Sequence, residues 1–225
     1  MKTKKNVSGL YAIVDSNYPA GGDMVGLAAK YVCGGVGVLQ LRVKPLENSQ
    51  GEAERAKKLM LSVASEVAGF KKNNDFILII NDHADIACQV GADGVHVGTN
   101  DMPVTEIRKT FGDEIMIGFS SHSAEEAKKA WEMGADYVAF GAIFPTKTKG
   151  PGHPVQGLEK LREVVAAASI PVVAIGGICR ENIEGVLKTG VSSVAMISAL
   201  ALANDPVLEA ISYGRLIRRF LGASR

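Results

Sequence analysis

The sequence predicts a closed parallel (β/α)8 TIM barrel, an α/β fold, on three observations. Eight short β-branched runs alternate with eight longer amphipathic stretches across 225 residues. Aliphatic residues, Ala and Gly dominate and aromatics make up only 6%, as expected of buried parallel strands beneath Ala-rich helices. No linker or low-complexity segment divides the chain, so residues 1–225 are read as one domain. A doubly wound open sheet is the alternative, but it usually holds about five or six strands.

The expected strands are 10–14, 36–41, 76–80, 94–97, 115–118, 137–140, 172–175 and 193–197. The expected helices are 22–32, 50–70, 84–90, 104–111, 124–133, 157–168, 182–188 and 205–221. A phrase recurs where a helix gives way to a strand: Gly91-Ala92-Asp93, then Gly134-Ala135-Asp136, with Gly190-Val191-Ser192 as a looser copy. Glycine there suits a left-handed helix C-cap, so the phrase marks the repeating unit rather than chemistry.

Composition excludes several classes. Net charge is +1 with both signs scattered, unlike the basic face of a nucleic-acid binder. No apolar run approaches the roughly 18 residues of a membrane span, and the run 10–14 is too short for a signal-peptide core. Cys33, Cys88 and Cys179 are far apart and odd in number, which points to a reduced, cytoplasmic setting. The oligomeric state, a homodimer included, stays open.

In such barrels chemistry sits on the loops that follow the strands. After strand two, side-chain alternation puts Gln40, Arg42 and Lys44 on one face and Leu41 and Val43 on the other. Two cations and an amide in the barrel mouth suit a phosphate or diphosphate. Asp82 follows strand three and Asp101 follows strand four. Together they could share Mg²⁺, which takes few protein ligands, or each could cap the helix after it. His96, within a strand, reads as a hydrogen-bonded core histidine. Ser120 ends strand five facing the mouth, and Ser123 with Glu126 fits a capping box. His122 is a candidate acid or base with no evident acidic partner.

The longest irregular loop, 144–154, carries Thr146, Lys147, Thr148 and Lys149 among glycines and prolines, and a cover over an anionic substrate is expected there. After strand seven comes Gly176-Gly177, and after strand eight come Ile197 and Ser198. Barrels often bind phosphate on backbone amides between these two loops. Two anion sites on one rim suggest two phosphorylated small-molecule substrates meeting across the mouth.

Several phrases, in this order and after successive strands, make the chain resemble the thiamine phosphate synthase family from Gly9 to about Asp205. They are Gly9-Leu10-Tyr11-Ala12-Ile13-Val14-Asp15, Gln40-Leu41-Arg42-Val43-Lys44, Ile79-Ile80-Asn81-Asp82, Gly91-Ala92-Asp93-Gly94-Val95-His96-Val97-Gly98, Gly118-Phe119-Ser120, 144–149 and Ile175-Gly176-Gly177-Ile178. The resemblance implies a transferase of thiamine biosynthesis that joins an aminopyrimidine diphosphate to a thiazole phosphate. It implies that Gln40, Arg42, Lys44, Asn81, Ser120 and Lys149 hold the pyrimidine diphosphate, with Arg42, Ser120 and Lys149 in catalysis. Asp82 and Asp101 would hold Mg²⁺, and Thr146, Thr148, Gly177, Ile197 and Ser198 the thiazole phosphate. Two positions depart from the family's usual residues: Val43 stands for Glu and His83 for Arg, with little effect on activity expected from Val43 because it faces away from the polar trio. A thiazole tautomerase would use His122 but would not need the cations or the carboxylate pair. A non-catalytic sensor of a phosphorylated ligand would not need residues for both substrates.

Overall fold

Each barrel strand has two buried faces, and the sequence differs between them. In the computed structural model, residues 6–18, 22–45, 49–146 and 154–222 are described. The strands are β1 (Gly9–Asp15), β2 (Val38–Arg42), β3 (Ile77–Asn81), β4 (Gly94–Val97), β5 (Met116–Ser121), β6 (Tyr137–Phe140), β7 (Val172–Ile175) and β8 (Ser193–Met196). All neighbours pair in parallel, and β1 pairs with β8 to close the barrel in sequence order. Leu39, Leu41, Leu78, Ile80, Val95 and Ile117 pack outward against the helices. Tyr11, Ile13, Val38, Ile77, Ile79, Met116, Tyr137 and Val173 fill the interior as a separate cluster. This period-two split between two apolar environments makes the strands near-continuous hydrophobic runs.

The helices are α1 (Met24–Cys33), α2 (Gln50–Gly69), α3 (Ala84–Val90), α4 (Val104–Phe111), α5 (Ala124–Glu132), α6 (Gly157–Ala167), α7 (Ile183–Leu187), α8 (Ser198–Ala201) and α9 (Pro206–Gly222). Every expected element is present, with ends shifted by up to three residues. The additional α8 is a single turn of small residues, too short to show a period. No described helix is long and apolar enough to cross a membrane.

The recurring phrase has a structural role at the end where the strands begin. Gly91 is the left-handed C-cap of α3, at φ 69°. Asp93, two residues on, accepts the Leu78 backbone N–H at 2.7 Å and pairs with Lys71 at 2.7 Å. Asp136 repeats the arrangement: it accepts the Ile117 N–H at 2.7 Å and pairs with Arg108. Each carboxylate thus pins the start of the preceding strand.

Val43 does lie on the helix-facing side, as the alternation requires, but it is 5% exposed within the outer core. Facing away from the mouth here means burial among apolar side chains, so a Glu at this position would bear on stability rather than on the site.

Candidate active site

The strand ends open into a cavity of about 1240 Å³, its open mouth included. Gln40, Arg42, Lys44, Asn81, Asp82, Asp101 and Ser120 all line it, so the residues expected to gather do gather. A second cavity of about 480 Å³ adjoins it, lined by Thr146, Gly176, Gly177, Ile197 and Ser198. Ile175, Ala195 and Ile197 line both and form the shared wall. Gly177 sits at φ 68°, and a Cβ there would lie 2.7 Å from the Phe144 carbonyl oxygen. Only glycine fits that crowded, left-handed position. Thr148 and Lys149, and with them the expected cover, lie outside the described residues.

The two cations of the larger cavity are not unmatched. Arg42 pairs with Asp15, whose side chain is fully buried and also accepts the Asn17 N–H at 2.9 Å. Lys44 reaches Asp82 at 2.5 Å. Among the described residues, each of these two cations already faces a carboxylate. Asp15 closes β1 in register with Arg42, and strand pairing was the signal that could have found it.

Neither Asp82 nor Asp101 caps a helix. His83 occupies the N-cap position of α3 and Pro103 that of α4, both without a side-chain capping bond. Asp82 is the one non-glycine described residue at positive φ, 65°. That left-handed bend, tolerated by Asp at a modest cost, is associated with functional positions. Asp101 closes a tight turn by accepting the Gly98 N–H at 2.8 Å. Burial raises the Asp82 carboxyl above its ordinary range; Lys44 opposes the shift and the neighbouring Asp101 adds to it. The two carboxylates are therefore close enough to repel and share one wall. The described residues hold no cluster of three or more His, Cys, Asp or Glu suited to a metal. Two carboxylates suffice for Mg²⁺, which keeps waters and substrate phosphates as its other ligands. His83 is partly buried, which lowers its imidazole pKa.

The side-chain amide nitrogen of Asn81 is buried and lacks a hydrogen-bond partner. An unpaired buried donor is costly, so one at a cavity wall is a place for a ligand acceptor. His122 does have an acidic partner, contrary to expectation: Glu126 lies 3.3 Å from its Nδ1 and also accepts its backbone N–H at 2.7 Å. Ser123 accepts the Glu126 N–H at 3.1 Å, so the capping box is half formed.

His96 is more than a core histidine. Its Nε2 lies 2.9 Å from Ser120 Oγ and its Nδ1 lies 3.1 Å from the Tyr137 hydroxyl, at the cavity floor. Strand alternation could have found it, because Val95 and Val97 face the helices and His96 must therefore face inward.

The sequence matches the family described as thiamine monophosphate synthase over residues 10–200. The chain belongs to the thiamine monophosphate synthase family. It is 40% identical to a thiamine-phosphate synthase of Alkaliphilus oremlandii, over 90% of this chain and 91% of that one. It is 40% identical to a thiamine-phosphate synthase of Archaeoglobus fulgidus, over 94% of each. A solved thiamine phosphate pyrophosphorylase from Pyrococcus furiosus superposes with a TM-score of 0.82 at 33% identity, covering 95% of this chain and 97% of that one. Family membership bears out both the fold and the transferase activity expected from the sequence.

Proposed function

We propose that the larger cavity binds 4-amino-2-methyl-5-hydroxymethylpyrimidine diphosphate and the smaller one hydroxyethylthiazole phosphate or its carboxylate, in a cytoplasmic enzyme. The observation that carries this reading is the shared wall: two unlike cavities, one polar and one lined by glycine backbone, meet along Ile175, Ala195 and Ile197. Two substrates seated there would face one another.

In this reading the bond from the pyrimidine methylene to the diphosphate oxygen breaks first, and its electron pair leaves with pyrophosphate. The thiazole nitrogen lone pair then forms the new carbon–nitrogen bond; where the thiazole carries the carboxylate, that group leaves as carbon dioxide after coupling. Such chemistry needs charge balance on the leaving group and positioning more than a general base. Gln40, Asn81 and Ser120 orient the pyrimidine, with the unpaired Asn81 nitrogen supplying a donor. Arg42, Lys44 and Lys149 face the diphosphate. Thr146, Thr148, Gly177, Ile197 and Ser198 hold the thiazole phosphate. Asp82 and Asp101 would hold Mg²⁺, which when bound supplies positive charge against the diphosphate. The pairing of both rim cations with carboxylates supports that assignment, because the described side chains alone bring little net positive charge.

The test is incubation with both substrates and Mg²⁺. Thiamine phosphate and pyrophosphate appear in equal amounts if the reading holds. Isomerised thiazole phosphate with no coupling would favour a tautomerase instead.

A further inference from the structure

Five side chains from five strands form one hydrogen-bonded chain beneath the larger cavity. Gln40 Nε2 donates to the Tyr11 hydroxyl at 2.8 Å. The Tyr11 and Tyr137 hydroxyls lie 2.9 Å apart. Tyr137 meets His96 Nδ1 at 3.1 Å, and His96 Nε2 meets Ser120 Oγ at 2.9 Å. Tyr11 and Tyr137 come from β1 and β6 and meet across the barrel interior, both buried. Gln40 and Ser120, the two ends, both line the cavity.

The barrel makes room for this chain. His96 of β4 is in register with Gly118 of β5, and Gly118 with Tyr137 of β6. A Cβ at Gly118 would lie 2.1 Å from the Tyr137 ring and 2.5 Å from His96 Nδ1. The missing side chain lets the two rings meet over β5, with centroids 5.5 Å apart.

A chain of single-proton hydroxyls has a direction. Tyr11 accepts from Gln40, and its own proton goes to Tyr137, whose hydroxyl lies 2.9 Å away. An unpaired hydroxyl proton at that depth is disfavoured. Tyr137, accepting from Tyr11, must donate onward to Nδ1. Neutral His96 then carries its proton on Nε2 and donates it to Ser120 Oγ. The Ser120 proton is left to point into the cavity, and Gln40 Oε1 is left as an acceptor. Turning the Gln40 amide would reverse every bond at once, leaving a donor at Gln40 and an acceptor at Ser120. Mixed states break a buried bond, so the two ends are tied together.

We infer that Tyr11, Tyr137 and His96 are positioning residues that fix the hydrogen-bond polarity of the pyrimidine pocket, with an acceptor at Gln40 and a donor at Ser120. This polarity fits a ring that offers an amine hydrogen on one side and a bare ring nitrogen on the other. It disfavours the 4-oxo analogue, which replaces the amine donor with an acceptor. The chain therefore sets selectivity for the aminopyrimidine, and the inference rests on the function proposed above.

Two measurements test it. Nitrogen-15 NMR of the histidine-labelled protein, with the His96 signal assigned by its loss in His96→Asn, reads the tautomer without turnover. A proton on Nε2 is expected; a proton on Nδ1, or on both nitrogens, overturns the inference. The second measurement compares kcat/KM for the 4-amino and 4-oxo pyrimidine diphosphates. Tyr137→Phe should cut the preference for the amine about tenfold and leave the thiazole KM within about twofold, the scale of one hydrogen bond. Tyr11→Phe is the second variant, should Tyr137→Phe fail to fold. A lower melting temperature with unchanged selectivity would make the chain merely structural. Failure of the wild type to make thiamine phosphate would instead overturn the proposed function, while the tautomer could still be read.

Discussion

Both ends of the barrel place aspartates against cations, yet they use them in opposite ways. Where the strands begin, Asp93 and Asp136 each take a backbone N–H and a cation, Lys71 or Arg108, so the acceptors are well supplied. Where the strands end, Asp82 has Lys44 on one side and a second carboxylate, Asp101, nearby, and burial holds its proton more tightly. The same residue type is satisfied at one end and in excess at the other. Satisfied charge holds a strand in place; charge in excess leaves room for a cation or substrate to complete it.

Among substitutions at the two ends, Lys149→Ala should have the largest effect on turnover. If Arg42 and Lys44 are largely committed to carboxylates, a further cation matters more to pyrophosphate departure. Losing one such contact typically costs about 2.7–4 kcal/mol, so kcat should fall roughly a hundred- to thousand-fold with an unchanged melting temperature. A change below about threefold in steady-state assays would remove Lys149 from the mechanism.

Asp101→Ala comes next. Even outer-shell partners of metal ligands matter by roughly 10–100-fold, so the Mg²⁺ needed for half-maximal rate should rise on the order of a hundredfold. Wild-type protein should also melt at higher temperature with Mg²⁺ than with excess chelator, and the variant should not. The pH dependence has a definite sign. The Asp82 carboxyl is raised, so its proton competes with the cation and the Mg²⁺-induced gain should shrink as pH falls toward that raised value. Full activity in excess chelator would make the excess charge irrelevant to catalysis.

At the other end, Asp136→Ala should unpin Ile117 and remove the ion pair of Arg108, which keeps its backbone carbonyl acceptors, costing about 1–3 kcal/mol of stability. For a domain of this size that lowers the melting temperature by several degrees, at about 2–4 °C per kcal/mol. Turnover per folded molecule should stay near wild type; a drop as deep as that of Asp101→Ala would erase the division between the two ends.

The smallest expected effect on turnover is that of Val43→Glu. The position faces the helices, so kcat should remain within about threefold by strand alternation. Burying a carboxyl group there should lower the melting temperature, with a cost above the roughly 1–3 kcal/mol of an unpaired neutral polar group. Unfolding curves and kinetics on one preparation separate the two readouts.

Much of the fold was legible because its signals are local. Alternation placed Gln40, Arg42 and Lys44 on the cavity side, and a glycine after three of the helices marked the repeat. The single turn of α8 was too short to carry a period. Within the site, pairings across strands were harder to read. Asp15 meets Arg42 from 27 residues away, and Lys44 meets Asp82 from 38. Tyr11 and Tyr137 are 126 residues apart and meet because the barrel closes. Glu126 beside His122 was a local signal, four residues on, that an expected capping role obscured.

The recurring Gly-Ala-Asp phrase also bears on how the chain assembles. Asp93 reaches back 15 residues to Leu78, and Asp136 reaches back 19 to Ile117. A strand start pinned in this way is complete only when the following unit has docked, so β3 matures with β4 and β5 with β6. By contrast, the seam between first and last strands is sealed by Ser193 donating to the Gly9 carbonyl across 184 residues. Closing short loops costs less chain entropy than closing long ones, so paired units should order first and the seam last. At these two places the barrel is built of neighbouring couples, β3 finished only with β4 and β5 only with β6.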